Sequence, residues 1–220
     1  MKEVKKHLII APHHDDEVIA CGGTIAKAVN NNEQVKIIII TKGDLSLKLL
    51  DDKDIEFISN IRNEESVNAC NVLGVKREDI KFIKKGDRTL IYSLEFVKEI
   101  IHEILEFKPN IIYYPHSLEG DRDHKVVNEV VSEAIFLCKS GFINEDGASY
   151  IQLCLQYEVW TPMMNYNIAK DITKFADLKK DAISKYKSQL KKLNLAHGIL
   201  GLNSYRGMQI GVPFAEVFKI

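Results

Sequence analysis

Cysteine is scarce in this chain, and what there is does not cluster. The four, Cys21, Cys70, Cys138 and Cys154, are scattered through apolar patterns without a CxxC pair, which excludes a zinc ribbon and argues against a disulfide scaffold. They read as small buried thiols in a reducing compartment. An excess of either charge is also missing: 30 basic residues face 31 acidic ones, for a net charge of -1, so no global field draws the protein to nucleic acid or anionic lipid. Long apolar runs are absent as well. The opening MKEVKKHLII meets Pro12 and a charged cluster too soon for a signal sequence or a membrane span, and the expected location is the cytoplasm. No internal repeat, low-complexity tract or long linker appears, so one domain over 1–220 is expected.

What is present is an ordinary globular balance, 45% hydrophobic and 28% charged, arranged in a regular order. Apolar runs of strand length alternate with segments of helical period, the pattern of βαβ units around a parallel sheet. Strands are expected at His7–Ala11, Val35–Ile40, Ile80–Ile83, Asn110–Tyr114 and within Tyr150–Trp160, with Ala215–Ile220 as a last edge strand. Helices are expected at Glu17–Asn31, Ile55–Leu73, Leu94–Phe107 and Val126–Cys138, and Lys174–Leu195 reads as a Lys-rich helix with a solvated charged face.

In such sheets ligands sit beyond the carboxyl ends of the strands, and two strand ends stand out. After the first comes Pro12-His13-His14-Asp15-Asp16-Glu17; after the fourth comes Pro115-His116, then Gly120-Asp121-Arg122-Asp123-His124. His13 and Asp16, three apart, can turn to one side as the chain enters a helix, and His124 can join them from the neighbouring strand end. Two imidazoles and a carboxylate suit Zn²⁺, or Fe²⁺ or another divalent metal. Asp15 would then be free to act as general base toward a water whose pKa the metal lowers toward ~7. The alternative for HHDDE alone is a solvated acidic turn that caps the next helix. Thr41-Lys42-Gly43-Asp44 after the second strand could border the pocket, and Tyr157, Glu158 and Trp160 could line it. Gly22-Gly23 is not a dinucleotide fingerprint and suits close helix–sheet packing.

The sequence also resembles a known family. HHDDE followed by Cys21-Gly22-Gly23-Thr24 is similar to the (A/P)-H-x-D-D-E…GGT start of the PIG-L/LmbE-like N-acetylglucosaminyl de-N-acetylases. Arg62-Asn63-Glu64-Glu65, Asp123-His124 and Tyr157-Glu158-Val159-Trp160-Thr161-Pro162 resemble later motifs, in order along almost the whole chain. The resemblance implies an α/β, Rossmann-like three-layer sandwich with a mostly parallel sheet. It implies zinc on His13, Asp16 and His124, Asp15 as base, and Arg62 holding the substrate. The partner implied is a small amino-sugar substrate, and homo-oligomeric assembly is an option it brings.

Two departures matter. His14 stands where the family usually has proline, and an outer role is expected for it rather than ligation. Asp121 stands where the family has a histidine that is cationic and stabilises the tetrahedral intermediate. The metal alone, or another donor such as His116, would have to take over, with Asp123 holding a neighbouring histidine. A relative without activity that binds a sugar or nucleotide, and a metal-dependent amidase acting on a non-sugar amide, are the rival readings.

Overall fold

The computed structural model describes residues 4–43, 52–143, 147–190 and 194–220. Asp44, named above beside Gly43, lies outside them. The chain runs β1 (Lys6–Ala11), α1 (Asp16–Asn30), β2 (Gln34–Thr41), α2 (Asp52–Val72), β3 (Ile80–Lys85), α3 (Leu94–Phe107), β4 (Ile111–Pro115), α4 (Arg122–Lys139) and β5 (Leu153–Tyr157). It closes with β6 (Ile168–Asp171), α5 (Ala176–Ile183), α6 (Lys187–Leu190), α7 (Leu195–Ile210) and β7 (Ala215–Lys219).

The strands form one seven-stranded sheet in the order β3-β2-β1-β4-β5-β7-β6. The first five are parallel, and β7 pairs antiparallel with both β5 and β6. Period-2 alternation sorts each central strand between two cores. Ile9, Ile37, Ile39, Tyr113 and Leu155 face a cluster built with α1, α2, α5 and α7. Leu8, Ile10, Ile38, Ile40, Ile112 and Tyr114 face one built with α3 and α4. Strands buried on both faces explain the continuous apolar runs, and the result is the expected three-layer α/β sandwich. Strand order reverses between β1 and β4, and the carboxyl ends of these two strands deliver both charged clusters to one crevice.

The carboxyl-terminal third departs from expectation. Lys174–Leu195 is not one helix: a 3-10 turn at Thr173–Phe175, then α5 and α6, divide it, and 191–193 lie outside the described residues. Nor is its lysine face all solvated, because Lys179 is fully buried on Glu216 at 2.7 Å. β7 is an interior strand; the edge is β6. Gly23 permits close packing as expected, but against the segment after β6 rather than a strand: an added Cβ would lie 2.5 Å from Ile172 Cβ.

Candidate metal centre and its cavity

α1 begins where the chain leaves β1. Asp15 occupies the turn with φ 105° and ψ -29°, a conformation costly for a residue with a Cβ and characteristic of functional sites. The turn swings Asp16 back so that its Oδ2 accepts from the His13 backbone N–H at 2.8 Å. The same oxygen lies 3.3 Å from His13 Nδ1 and 3.0 Å from His124 Nε2, and the two ring nitrogens are 3.3 Å apart. Three ligands of a tetrahedral ion with bonds of about 2.0–2.1 Å stand roughly 3.3 Å from one another. The donor triangle therefore fits a divalent metal without rearrangement. Asp16 Oδ1, buried without a hydrogen-bond partner among the described residues, is a further sign of a group that awaits a cation.

The far side of His13 is fixed by carboxylates. Nε2 lies 3.3 Å from Asp123 Oδ2 and 3.1 Å from Asp87 Oδ1, which selects the tautomer that leaves Nδ1 to face the triangle. Alternative donor groups share this ground: His13 with Asp121 and His124, and His13 with Asp87 and Asp123, each place ligand atoms within 4.8 Å of one another. Burial alone would lower the His13 pKa, but Asp123, Asp16 and Asp87 hold it well above the usual imidazole value. For His124 burial is likewise overcome by Asp16, and its pKa is raised. Asp16 moves the other way: the two imidazoles outweigh burial and hold its carboxyl well below the usual range.

Asp15 stands beside the triangle with a different character. Burial raises its pKa to about 6, against the opposing pull of Arg62, whose Nη2 is 3.3 Å from Asp15 Oδ2. Arg62, on α2, also donates to the His14 carbonyl and reaches Ser188 Oγ at 3.4 Å and Glu65 Oε2 at 3.7 Å. It is thus both a cavity residue and the partner of Glu65. Behind them, burial lifts Glu17 to about 7 while the Tyr186 hydroxyl donates to it.

A cavity of about 260 Å³ opens over these groups, lined by His13, Asp15, Asp16, Gly43, Arg62, Asp87, Arg88, Asp121, Trp160 and Gln189. His13, Asp15, Asp16, Arg62, Asp123 and His124 are thus gathered as the sequence suggested. His116 is not with them: its Nε2 meets the Thr161 carbonyl at 2.8 Å and its Nδ1 accepts from Leu118 N–H at 3.2 Å, so both nitrogens serve the loop. His14 turns away from the triangle, is fully buried, stacks on Phe82 and donates from Nε2 to Asn63 Oδ1 at 2.8 Å. Burial, with Arg62 nearby, drops it to about 3, so it is neutral. Tyr157 and Glu158 are structural: the Tyr157 hydroxyl donates to the Ile10 carbonyl at 2.7 Å, and Glu158 pairs with Arg206. Asp87 and Arg88 were missed, although Gly86-Asp87-Arg88 follows β3 and the strand-end rule applied there would have found them.

Comparisons with known proteins bear on the fold and the family. The family model described as PIG-L: GlcNAc-PI de-N-acetylase matches residues 8–135, from β1 to α4. The chain is 33% identical over 136 residues to a diacetylchitobiose deacetylase of Thermococcus kodakarensis, covering 60% of this chain and 50% of that one. The match thus spans half the length of that relative. It is 27% identical over 194 residues, 84% of each chain, to a probable N-acetyl-alpha-D-glucosaminyl L-malate deacetylase 2 of Bacillus subtilis. Among solved structures, the N,N'-diacetylchitobiose deacetylase of Pyrococcus horikoshii superposes with a TM-score of 0.84 at 26% identity, over 99% of this chain and 84% of that one.

Proposed function

Because this chain belongs to the PIG-L family of N-deacetylase hydrolases, we propose that it hydrolyses the acetamido group of a small N-acetylglucosamine-containing molecule, with a divalent metal on His13, Asp16 and His124. The observation that carries this reading is the donor triangle of 3.0–3.3 Å edges with a separate, buried carboxylate beside it. Zn²⁺ is the metal that the mixed imidazole and carboxylate set favours, with Fe²⁺ as the alternative. When bound, such an ion supplies Lewis-acid activation of water and of the amide carbonyl.

The protein's own groups do the rest. Asp15 takes a proton from the attacking water as its oxygen bonds to the carbonyl carbon and the C=O pair moves onto oxygen. It then returns that proton to the nitrogen as the C–N bond breaks, giving acetate and a free amine. A carboxyl raised to about 6 is well placed for both halves. Arg62 keeps Asp15 aimed, and Asp123 keeps His13 in its tautomer. The cavity, at 260 Å³, falls below the roughly 300–1,000 Å³ of drug-sized pockets. It has room for the acetamido sugar, while the rest of a conjugate would run out past Trp160, which is 46% exposed. Four free thiols support a reducing, cytoplasmic setting, and among the described residues no helix is long and apolar enough to cross a membrane.

The test is acetate release from diacetylchitobiose and N-acetylglucosaminyl malate by metal-stripped protein, with and without added Zn²⁺, beside Asp15→Asn. Metal-dependent release that falls by about 10³-fold in the variant is expected. Release that survives metal removal, or an Asp15→Asn variant as active as wild type, sinks the reading.

A further inference from the structure

Two guanidinium groups line the cavity, and they are not equivalent. Arg62 is buried and committed to Asp15, the His14 carbonyl, Glu65 and Ser188. Arg88, on the loop from β3 to α3, is half-exposed and makes one ion pair among the described residues, Nη2 to Asp121 Oδ2 at 3.1 Å. Among the described residues the rest of its fork of donors has no protein partner, and Arg88 lines the cavity.

The loop that carries Arg88 is nevertheless held tightly to the metal-ligating residues. The Arg88 N–H donates to Asp123 Oδ2 at 2.6 Å, the oxygen that also meets His13 Nε2, and the preceding Asp87 approaches the same nitrogen at 3.1 Å. Arg88 has φ 59°, a left-handed backbone costing on the order of 1 kcal/mol that persists only where the surroundings impose it. Asp121 completes the mounting. Its Oδ1 accepts from the Asp123 N–H at 2.8 Å, capping α4, and its Oδ2 faces Arg88. With both oxygens engaged, Asp121 serves as an anchor, although it lies near enough to His13 and His124 to be counted with them as a donor group.

We propose that Arg88, positioned by Asp121, donates hydrogen bonds to the amide oxygen of the substrate as that oxygen gains negative charge. The proposal rests on the deacetylation reading above. Arginine keeps its protons throughout, so no proton moves at this step: the C=O electron pair shifts onto oxygen as water adds, the guanidinium stabilises it, and the pair returns when the C–N bond breaks. Asp121, an anion that cannot stabilise another, thereby presents a cation to the same region.

The experiment compares wild type with Arg88→Gln, Arg88→Lys, Asp121→Asn and the double variant Arg88→Gln/Asp121→Asn. Asparagine caps helices as well as aspartate does, so Asp121→Asn removes the anchor and leaves α4 intact; retained zinc content and melting temperature check folding. Acetate release from diacetylchitobiose gives kcat and KM, and calorimetry gives the affinity for a methylphosphonamide analogue of N-acetylglucosamine, a tetrahedral mimic, and for glucosamine. For Arg88→Gln a loss of about 10²-fold in kcat is expected, with KM nearly unchanged. The mimic should weaken by a like factor and glucosamine should bind as before. Asp121→Asn should lose part of this, and nothing further once Arg88 is gone. Loss in KM alone, or equal weakening of mimic and glucosamine, overturns the assignment in favour of ground-state sugar binding. An active wild type matched by Arg88→Gln overturns it outright. A wild type that releases no acetate overturns the parent reading, and this inference with it.

Discussion

Helix α1 separates two buried charge clusters built on opposite terms. At its amino end stand Asp15, Asp16 and Glu17 with His13, His124 and Asp123; along its flank Lys179 meets Glu216. The flank pair is closed. Glu216 Oε1 takes the Gly23 N–H at 2.8 Å and Lys179 Nζ at 2.7 Å, and Oε2 takes the Thr24 N–H at 2.8 Å. The end cluster is open: Asp16 Oδ1, Asp123 Oδ1 and His124 Nδ1 are buried without hydrogen-bond partners among the described residues, and Asp15 holds a strained backbone. The buried Glu216 carboxylate, which serves the fold, is saturated by its neighbours. Buried charge that serves chemistry keeps lone pairs in reserve, and the fold carries the cost.

If that contrast is right, the flank pair is breakable only at the expense of stability. Lys179→Met leaves a buried carboxylate without its cation and should destabilise by about 3–5 kcal/mol, whereas Lys179→Met with Glu216→Gln should recover only part of the loss, because the amide nitrogen cannot accept from the second of the Gly23 and Thr24 N–H groups. Urea unfolding measures both, and acetate release per folded molecule should stay near wild type. A single variant as stable as wild type would dissolve the distinction. A smaller effect probes the neighbouring seam between α1 and the segment after β6. Gly23→Ala sets a methyl 2.5 Å from Ile172 Cβ, overpacking expected to cost about 1–3 kcal/mol. A variant that melts with wild type would mean that the seam yields freely.

The end cluster was far more legible in the sequence than the flank. HHDDE and Asp123-His124 are consecutive polar residues at strand ends, where no core demands them, so their chemistry shows through. The flank pair joins Lys179 and Glu216, which look in sequence like two ordinary surface charges. The same blindness hid α7. Its buried stripe is Leu195, Ile199, Asn203, Arg206 and Gly207, helical in spacing but half polar, with Asn203 on the Ala215 carbonyl and Arg206 on Glu158. Apolar periodicity cannot see a stripe satisfied by hydrogen bonds. β6, four residues long with Lys170 and Asp171 in it, fails for the same reason. Strands β1, β2 and β4 were plain because both of their faces are buried in apolar cores.

The finest test of the contrast is pH, because the open cluster holds two histidines raised above their ordinary value and the closed pair holds none. In metal-free protein His13 and His124 have pKa values raised above the ordinary 6.5 by their carboxylate neighbours. Stabilisation from a raised histidine is complete below its unfolded value and is lost as pH climbs through the folded one. Asp15 and Glu17, raised to about 6 and about 7, also favour the lower pH, while the depressed His14 and Asp16 act only on the acid side. Once pH has passed about 7, the value to which Glu17 is raised, and before the thiols titrate, the two histidines carry the fall, and metal-free stability should drop by on the order of 1 kcal/mol. Metal requires both imidazoles neutral, so its stabilisation grows over the same range and offsets the fall. Urea unfolding in chelator and in Zn²⁺ resolves the two slopes. His13→Gln should flatten the metal-free slope and Lys179→Met should leave it unaltered. A slope that survives His13→Gln would place the titrating protons elsewhere, and the open cluster would then be no more responsive than the closed one.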